Sequence, residues 1–363
     1  QPLSVSTSDR RPPMLKGLVR LSGSTSLRLR PYVPVGRIQL STASRLFNKR
    51  DEFLERHVGP SPADVEEMVK VVGLGSLEEL VDAVVPAHIR RPAMKFKDEG
   101  PVGEFDALEE IRAISKLNEV KKSFIGQGYY GTLMPNVLLR NVLENPSWYT
   151  PYTPYQAEIA QGRLEMLINY QTMVKDLTGM HISNASLLDE ATAMAEGMFI
   201  CFNAAKKRSS SSIFLIDSQV FPQNVDVCRT RAEPLGIEIV HADVGSWDFE
   251  AKPVFGVALQ YPDNSGTIRD YQSLCKEVQA TGGRVVVAAD VLALTLLKPP
   301  GEWGADICVG STQRFGIPMG YGGPHAGYMA VSEPLTRLMP GRLIGVSKDR
   351  RGKQAYRMAL QTR

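Results

Sequence analysis

The chain has no stretch of about 18 apolar residues, so no segment of it reads as a membrane-spanning helix. Cysteine is scarce: only Cys201, Cys228, Cys275 and Cys308 are present. They form no Cys-x-x-Cys pair and stand at no zinc-like spacing from the five histidines, so no metal site is expected. Each is read as a small buried hydrophobe. His181, His241 and His325 are isolated and are read as structural. Acid is nearly missing from residues 1–50, which hold ten Lys or Arg against Asp9 alone. The other residues carry 32 basic and 38 acidic side chains, a balance that gives no footing for a nucleic-acid partner.

An Arg- and Ser-rich stretch without acid has the composition of an organelle transit peptide, and residues 1–45 are assigned to one. Met14 is a candidate true start, with residues 1–13 translated from upstream. Leu15–Arg30 sets Arg and Lys among Leu and Val, which suits a mitochondrial presequence and predicts the matrix as location. A disordered basic tail is the alternative. At the other end, Met358 to Arg363 stops without a turn signal and reads as cut.

The rest has ordinary globular composition, 43% hydrophobic and 22% charged over 363 residues in all, enough for about two domains. Residues 46–125 read as a small helical region. Ser61, Pro62 and Asp64 open one helix, with Val65, Met68, Val69 and Val72 as its apolar stripe. Ser76 to Glu79 fits a capping box, followed by Leu77, Leu80, Val81 and Val84 on one face. A third helix is predicted from Asp106 to about Lys122, with Leu108, Ile111, Leu117 and Val120 inward.

Residues 126–335 read as a larger domain. It opens on a Gly-Tyr loop with a short helix around Val137–Leu143. Two long helices come next, about Gln156–Leu177, with Ile159, Leu164, Leu167 and Ile168 among its buried positions, and about Glu190–Ala205. Short β-branched runs then alternate with helices: Ile213–Asp217, Ile237–His241, Val254–Gln260, Arg284–Ala289, Asp306–Val309 and Tyr328–Val331. That alternation predicts an α/β fold, a mostly parallel sheet with helices on both faces. Residues 336–363 are taken as the start of a truncated carboxyl-terminal subdomain.

Gly126, Gly128 and Gly131 match G-x-G-x-x-G by letter. A dinucleotide site needs a strand before and a helix after that motif. Here a helix end precedes it and Met134-Pro135 breaks any helix directly after it, so a pocket-lining loop is the better reading. Asp290 ends an apolar run, where an acid could face a ligand or simply cap the next turn. The most informative stretch is 310–324, Gly310-Ser311-Thr312-Gln313-Arg314-Phe315-Gly316 and on to Pro324. It has the form of the lysine loop of a pyridoxal-phosphate enzyme, without the lysine. Such enzymes hold their cofactor through a lysine amine. Gln313 stands at that position, and an amide cannot take the amine's role.

Three segments carry a resemblance: Phe124 to Thr132, Trp148 to Arg163 and Asn184 to Glu190. They resemble the glycine decarboxylase P-protein family, and the likeness runs from about Arg45 to Arg363, the amino-terminal part of the fused form. The resemblance implies a type I pyridoxal-phosphate-dependent transferase fold, used twice in the whole protein. It implies that pyridoxal phosphate is held covalently by the missing carboxyl-terminal half, and that this half shapes the pocket without a catalytic residue of its own. Glycine is the implied substrate, the lipoyl-bearing H-protein the implied acceptor of the aminomethyl group, and a homodimer of the full-length chain the implied assembly. Gly128, Tyr129, Tyr130, Gly131, Thr132, Tyr152 and Glu158 are the substrate-pocket candidates. For Glu158 a solvated helix-end acid is the alternative. Two other functions stay open: a non-catalytic scaffold or regulatory pseudoenzyme, and another type I pyridoxal enzyme. The second would need a lysine in the loop, but Lys298 precedes the adjoining strand and Lys348 lies outside.

Overall fold

The computed structural model describes residues 56–95, 102–149, 152–205, 212–323 and 325–361. The transit-peptide assignment therefore lies outside the described residues. The chain divides into two units, 1–120 and 121–363.

Among its described residues the first unit forms the helices α1 (Pro62–Val71), α2 (Leu77–Val84) and α3 (Glu104–Ser115). Ser61 caps α1 reciprocally: its hydroxyl accepts from the Asp64 N–H at 3.2 Å, and the Asp64 carboxylate accepts from the Ser61 N–H at 2.7 Å. At α2 only half of that arrangement forms. The Ser76 hydroxyl accepts from the Glu79 N–H, but the Glu79 carboxylate reaches one residue further back, to the Gly75 N–H. α3 ends earlier than predicted, because side chains of Ser115 and Asn118 bond the carbonyls of Arg112 and Ser115. The expected inward faces are also corrected. Met68, Val72, Leu77, Val81, Val84, Leu108, Ile111, Leu117 and Val120 are all exposed, and only Val69 is buried among the described residues here.

The second unit begins with the Gly-Tyr loop and a short helical stretch over 136–143, then α4 (Gln161–Thr178), preceded by a 3-10 turn at Ala157–Ile159. That turn leaves Ile159 exposed rather than buried. Next come β1 (Ile182–Ser183), α5 (Glu190–Ala205), β2 (Ile213–Asp217), α6 (Pro222–Ala232), β3 (Glu238–Ala242), β4 (Gly256–Tyr261), α7 (Gln272–Ala280), β5 (Arg284–Ala289), β6 (Ile307–Ser311) and β7 (Gly327–Val331). β8 (Arg342–Lys348) and β9 (Gln354–Gln361) close the chain as a hairpin.

The main sheet has the order β1-β7-β6-β5-β4-β2-β3. β2 to β6 pair in parallel, whereas β7 runs antiparallel to β6 and to β1. Successive side chains on a strand face opposite ways, so a strand covered on both faces must be apolar throughout. β5 shows this. Val286 and Ala288 join the layer under α5 and α6, while Val285 and Val287 join the layer with α4 and α7. α5 lies so close to the sheet that a Cβ at Gly197 would stand 2.9 Å from Val286 Cγ1.

Two glutamines of α4 dock the hairpin. The Gln171 amide donates to the Ile344 carbonyl at 3.2 Å and accepts from its N–H at 2.8 Å. Gln161 does the same with Tyr356, at 2.8 and 2.9 Å. Each side chain thus fills the backbone groups of a strand residue as another strand would.

Candidate functional site

A cleft of about 340 Å3 opens beyond the carboxyl ends of β4, β5 and β6, where open α/β sheets bind ligands. Its floor is a polar network. Gln260 at the end of β4 donates to Glu190 Oε1 at 3.3 Å, and Asn224 of α6 donates to the same oxygen at 2.8 Å. Glu190 is the first residue of α5. Burial raises its carboxyl pKa; the bonds from Asn224 and Gln260 offset part of this, and the nearby charges of Asp290 and Asp189 add to it. At the mouth, Asp263 Oδ1 gathers Ser265 and Thr267 into a tight turn at 2.6–2.9 Å. Burial would raise the Asp263 pKa, but these bonds and Arg269 outweigh it and hold it low.

The lysine-type loop follows β6. Gln313 is fully buried in a 3-10 turn, Gln313–Phe315. Its amide nitrogen donates to the carbonyls of Tyr130 at 2.9 Å and Ile317 at 2.8 Å. Arg314 sits over the Tyr130 ring, 4.6 Å from the centroid, and pairs with Asp290 at 3.3 Å. Asp290 also caps the turn after β5 by accepting from the Leu292 N–H at 3.0 Å.

The sequence-derived pocket residues divide among several places. Gly128 and Tyr130 line the cleft. Gly128 has φ +88, a left-handed conformation that glycine reaches without strain. Tyr129 turns to the His325 ring, with centroids 5.3 Å apart. Burial lowers the His325 pKa, opposed by Asp189. The Thr132 hydroxyl donates to the Ile317 carbonyl at 2.7 Å, and Gly131 is exposed. Tyr152 is 82% exposed in a separate surface groove of about 790 Å3, with Trp148, Tyr155 and Ile159. Glu158 is exposed in the 3-10 turn beside that groove. Sequence reasoning passed over Glu190, Asn224, Gln260 and Arg314. Arg314 had a signal as the neighbour of Gln313, and Glu190 as the last residue of the Asn184–Glu190 segment; Asn224 and Gln260 come from other segments and had none.

Among the described residues no strand precedes Gly126, so the dinucleotide alternative lacks its scaffold there. All four cysteines are buried and free. Burial pushes the thiols of Cys228, Cys275 and Cys308 up to about 12, which leaves them inert at neutral pH. Among the described residues no helix is long and apolar enough to cross a membrane, and no cluster of potential metal ligands occurs.

The sequence profile of the glycine cleavage system P-protein matches residues 55–363. The chain belongs to the glycine cleavage system P-protein family. It is 54% identical over 325 residues to the glycine dehydrogenase (decarboxylating) of Stenotrophomonas maltophilia (strain K279a), covering 90% of this chain and 34% of the relative. It is 56% identical over 312 residues to that of Xylella fastidiosa (strain Temecula1 / ATCC 700964), covering 86% and 31%. This P-protein-family chain therefore spans about a third of the length of the curated relatives it matches. Its fold is similar to a crystal structure of glycine decarboxylase (P-protein) of the glycine cleavage system in inhibitor-bound form. The TM-score is 0.73 at 33% identity, over 84% of this chain and 69% of the other.

Proposed function

We propose that this chain is the amino-terminal part of a glycine dehydrogenase (decarboxylating), and that it shapes an active site whose covalent chemistry belongs to the rest of the protein. Pyridoxal phosphate, when bound to the lysine of that other part, supplies the electron sink that lets glycine lose carbon dioxide. The lipoyl arm of the H-protein is the proposed acceptor of the aminomethyl group.

The cleft of this chain does not itself fit that cofactor. Both N–H groups of the Gln313 amide are committed to backbone carbonyls, and no amine stands there. Asp290, the acid that could face a pyridine nitrogen, already holds the Arg314 cation. A phosphate would seek the amino end of α5. That end carries Asp189, which accepts from the Thr192 N–H at 2.6 Å, and Glu190. Two acids there repel an anion. The work of this chain is therefore to present surface. Gly128 keeps the loop backbone open to a ligand, while Tyr129 and Tyr130 offer hydroxyls on apolar rings that can bind polar atoms and keep water out. Tyr152 lines the exposed groove and Glu158 stands beside it, and both are assigned to contacts with the other half or the H-protein.

The buried Gln313 amide, tied to the Gly-Tyr loop, carries this reading. The test is reconstitution with the lysine-bearing half and H-protein, followed by glycine–bicarbonate exchange. Exchange is expected only when both halves are present; full exchange by the lysine-bearing half alone would remove the pocket role. We further propose that residues 1–45 direct import into the mitochondrial matrix. A reporter carrying them should enter mitochondria, and one that stays in the cytosol refutes the assignment.

A further inference from the structure

We propose that Gln313 is a positioning residue: its amide clamps the Gly126–Thr132 loop, so that the place of the cofactor lysine serves here to fix the tyrosines. The clamp stands on geometry alone; its effect on turnover rests on the functional reading above.

The loop has little of its own to hold it. Gln127 and Gly128 both have positive φ, and within the loop the Tyr129 N–H bonds the Gly126 carbonyl. A segment without a helix or strand ladder takes its place from tertiary ties. Three side-chain bonds supply them. Gln223 of α6 donates to the Gln127 carbonyl at 2.8 Å. Gln313 donates to the Tyr130 carbonyl, and Thr132 reaches the Ile317 carbonyl that Gln313 also holds. One amide thus joins the Gly-Tyr loop to the chain after β6. Arg314 adds a cation over the Tyr130 ring and is itself anchored by Asp290.

The chemistry of position 313 is narrow. A primary amide has two N–H donors, and two carbonyls stand within reach. A lysine there would bring a charge into a fully buried site, which burial disfavours. A leucine would fill similar space and leave the Tyr130 carbonyl without its partner.

Hydrogen exchange decides the question, measured on the complete two-half protein with Gln313→Leu, Thr132→Val and wild type. Gln313→Leu should speed exchange in peptides covering 124–134 about tenfold, with β4 and β5 peptides unchanged. Thr132→Val should act on the same peptides by a smaller factor, and it tests the clamp if Gln313→Leu fails to fold. In glycine–bicarbonate exchange, Gln313→Leu should lower kcat more than it changes KM. Unchanged protection of 124–134 in both variants overturns the clamp. A loosened loop with normal kcat overturns the positioning role. A wild-type protein without exchange activity would instead fail the functional reading, and protection of the loop would still decide the clamp.

Discussion

At Glu190, burial and the neighbouring Asp290 and Asp189 raise the carboxyl pKa despite the bonds from Asn224 and Gln260. The folded chain therefore holds that proton more tightly than the unfolded chain does. Stability that is fully present below the ordinary glutamate value is lost as pH rises through the folded pKa. Glu190→Gln keeps a carbonyl acceptor and removes the charge. It should leave the acid melting midpoint alone and raise the midpoint at pH values above the folded pKa. Calorimetry across pH checks it; an equal shift at all pH values would show that charge is not the cause. Gly128 gives a second single-residue test. Its added Cβ would meet only the Phe221 ring, at an ordinary 3.5 Å, so the harm of Gly128→Val comes from the positive φ and not from crowding. In the complete enzyme turnover should fall by about 10–100-fold, the scale of a misplaced binding loop, with little change in the melting curve. Normal turnover with a lowered melting curve would make the loop a mere connector.

α5 packs Ala193, Met194, Gly197, Met198 and Cys201 among its buried positions, and its approach to β5 is set at Gly197. Gly197→Ala should push the helix off Val286 and cost about 1–3 kcal/mol, read as a lower urea midpoint. A neutral or stabilising result, from the gain in helix propensity, would mean that the helix moves freely. The same elements show what could be read in advance. Val285, Val286 and Val287 announce a strand buried on both faces, and the structure has β5 there. β1 could not be seen, because two residues paired to a distant strand leave no periodic trace. The helices of the first unit were found, but their exposed stripes were not foreseen: periodicity tells which face is apolar, not whether anything covers it. The site divides in the same way. Gln313 could be read from one contiguous loop. The Glu190–Asn224–Gln260 network could not, since its members lie on α5, α6 and β4 and meet only through packing.

On the scale of the whole molecule, the lysine-type loop offers the buried Gln313 amide and no amine to hold a cofactor. Incubated alone with pyridoxal phosphate, reduced with borohydride and mapped, the chain should carry no stoichiometric label on any lysine. One fully labelled lysine would refute this; scattered traces on surface lysines would not. The joints that hold this chain to itself are also unusual in kind. Gln161 and Gln171 fasten the β8–β9 hairpin and Gln313 fastens the Gly-Tyr loop, in each case through an uncharged amide on main-chain atoms. Ion pairs at a surface weaken as the Debye length shrinks, from about 10 Å at 0.1 M salt to about 3 Å at 1 M. Uncharged amides have no such dependence. Concentrated brine should strip the surface of its ionic contacts and leave these three fastenings closed.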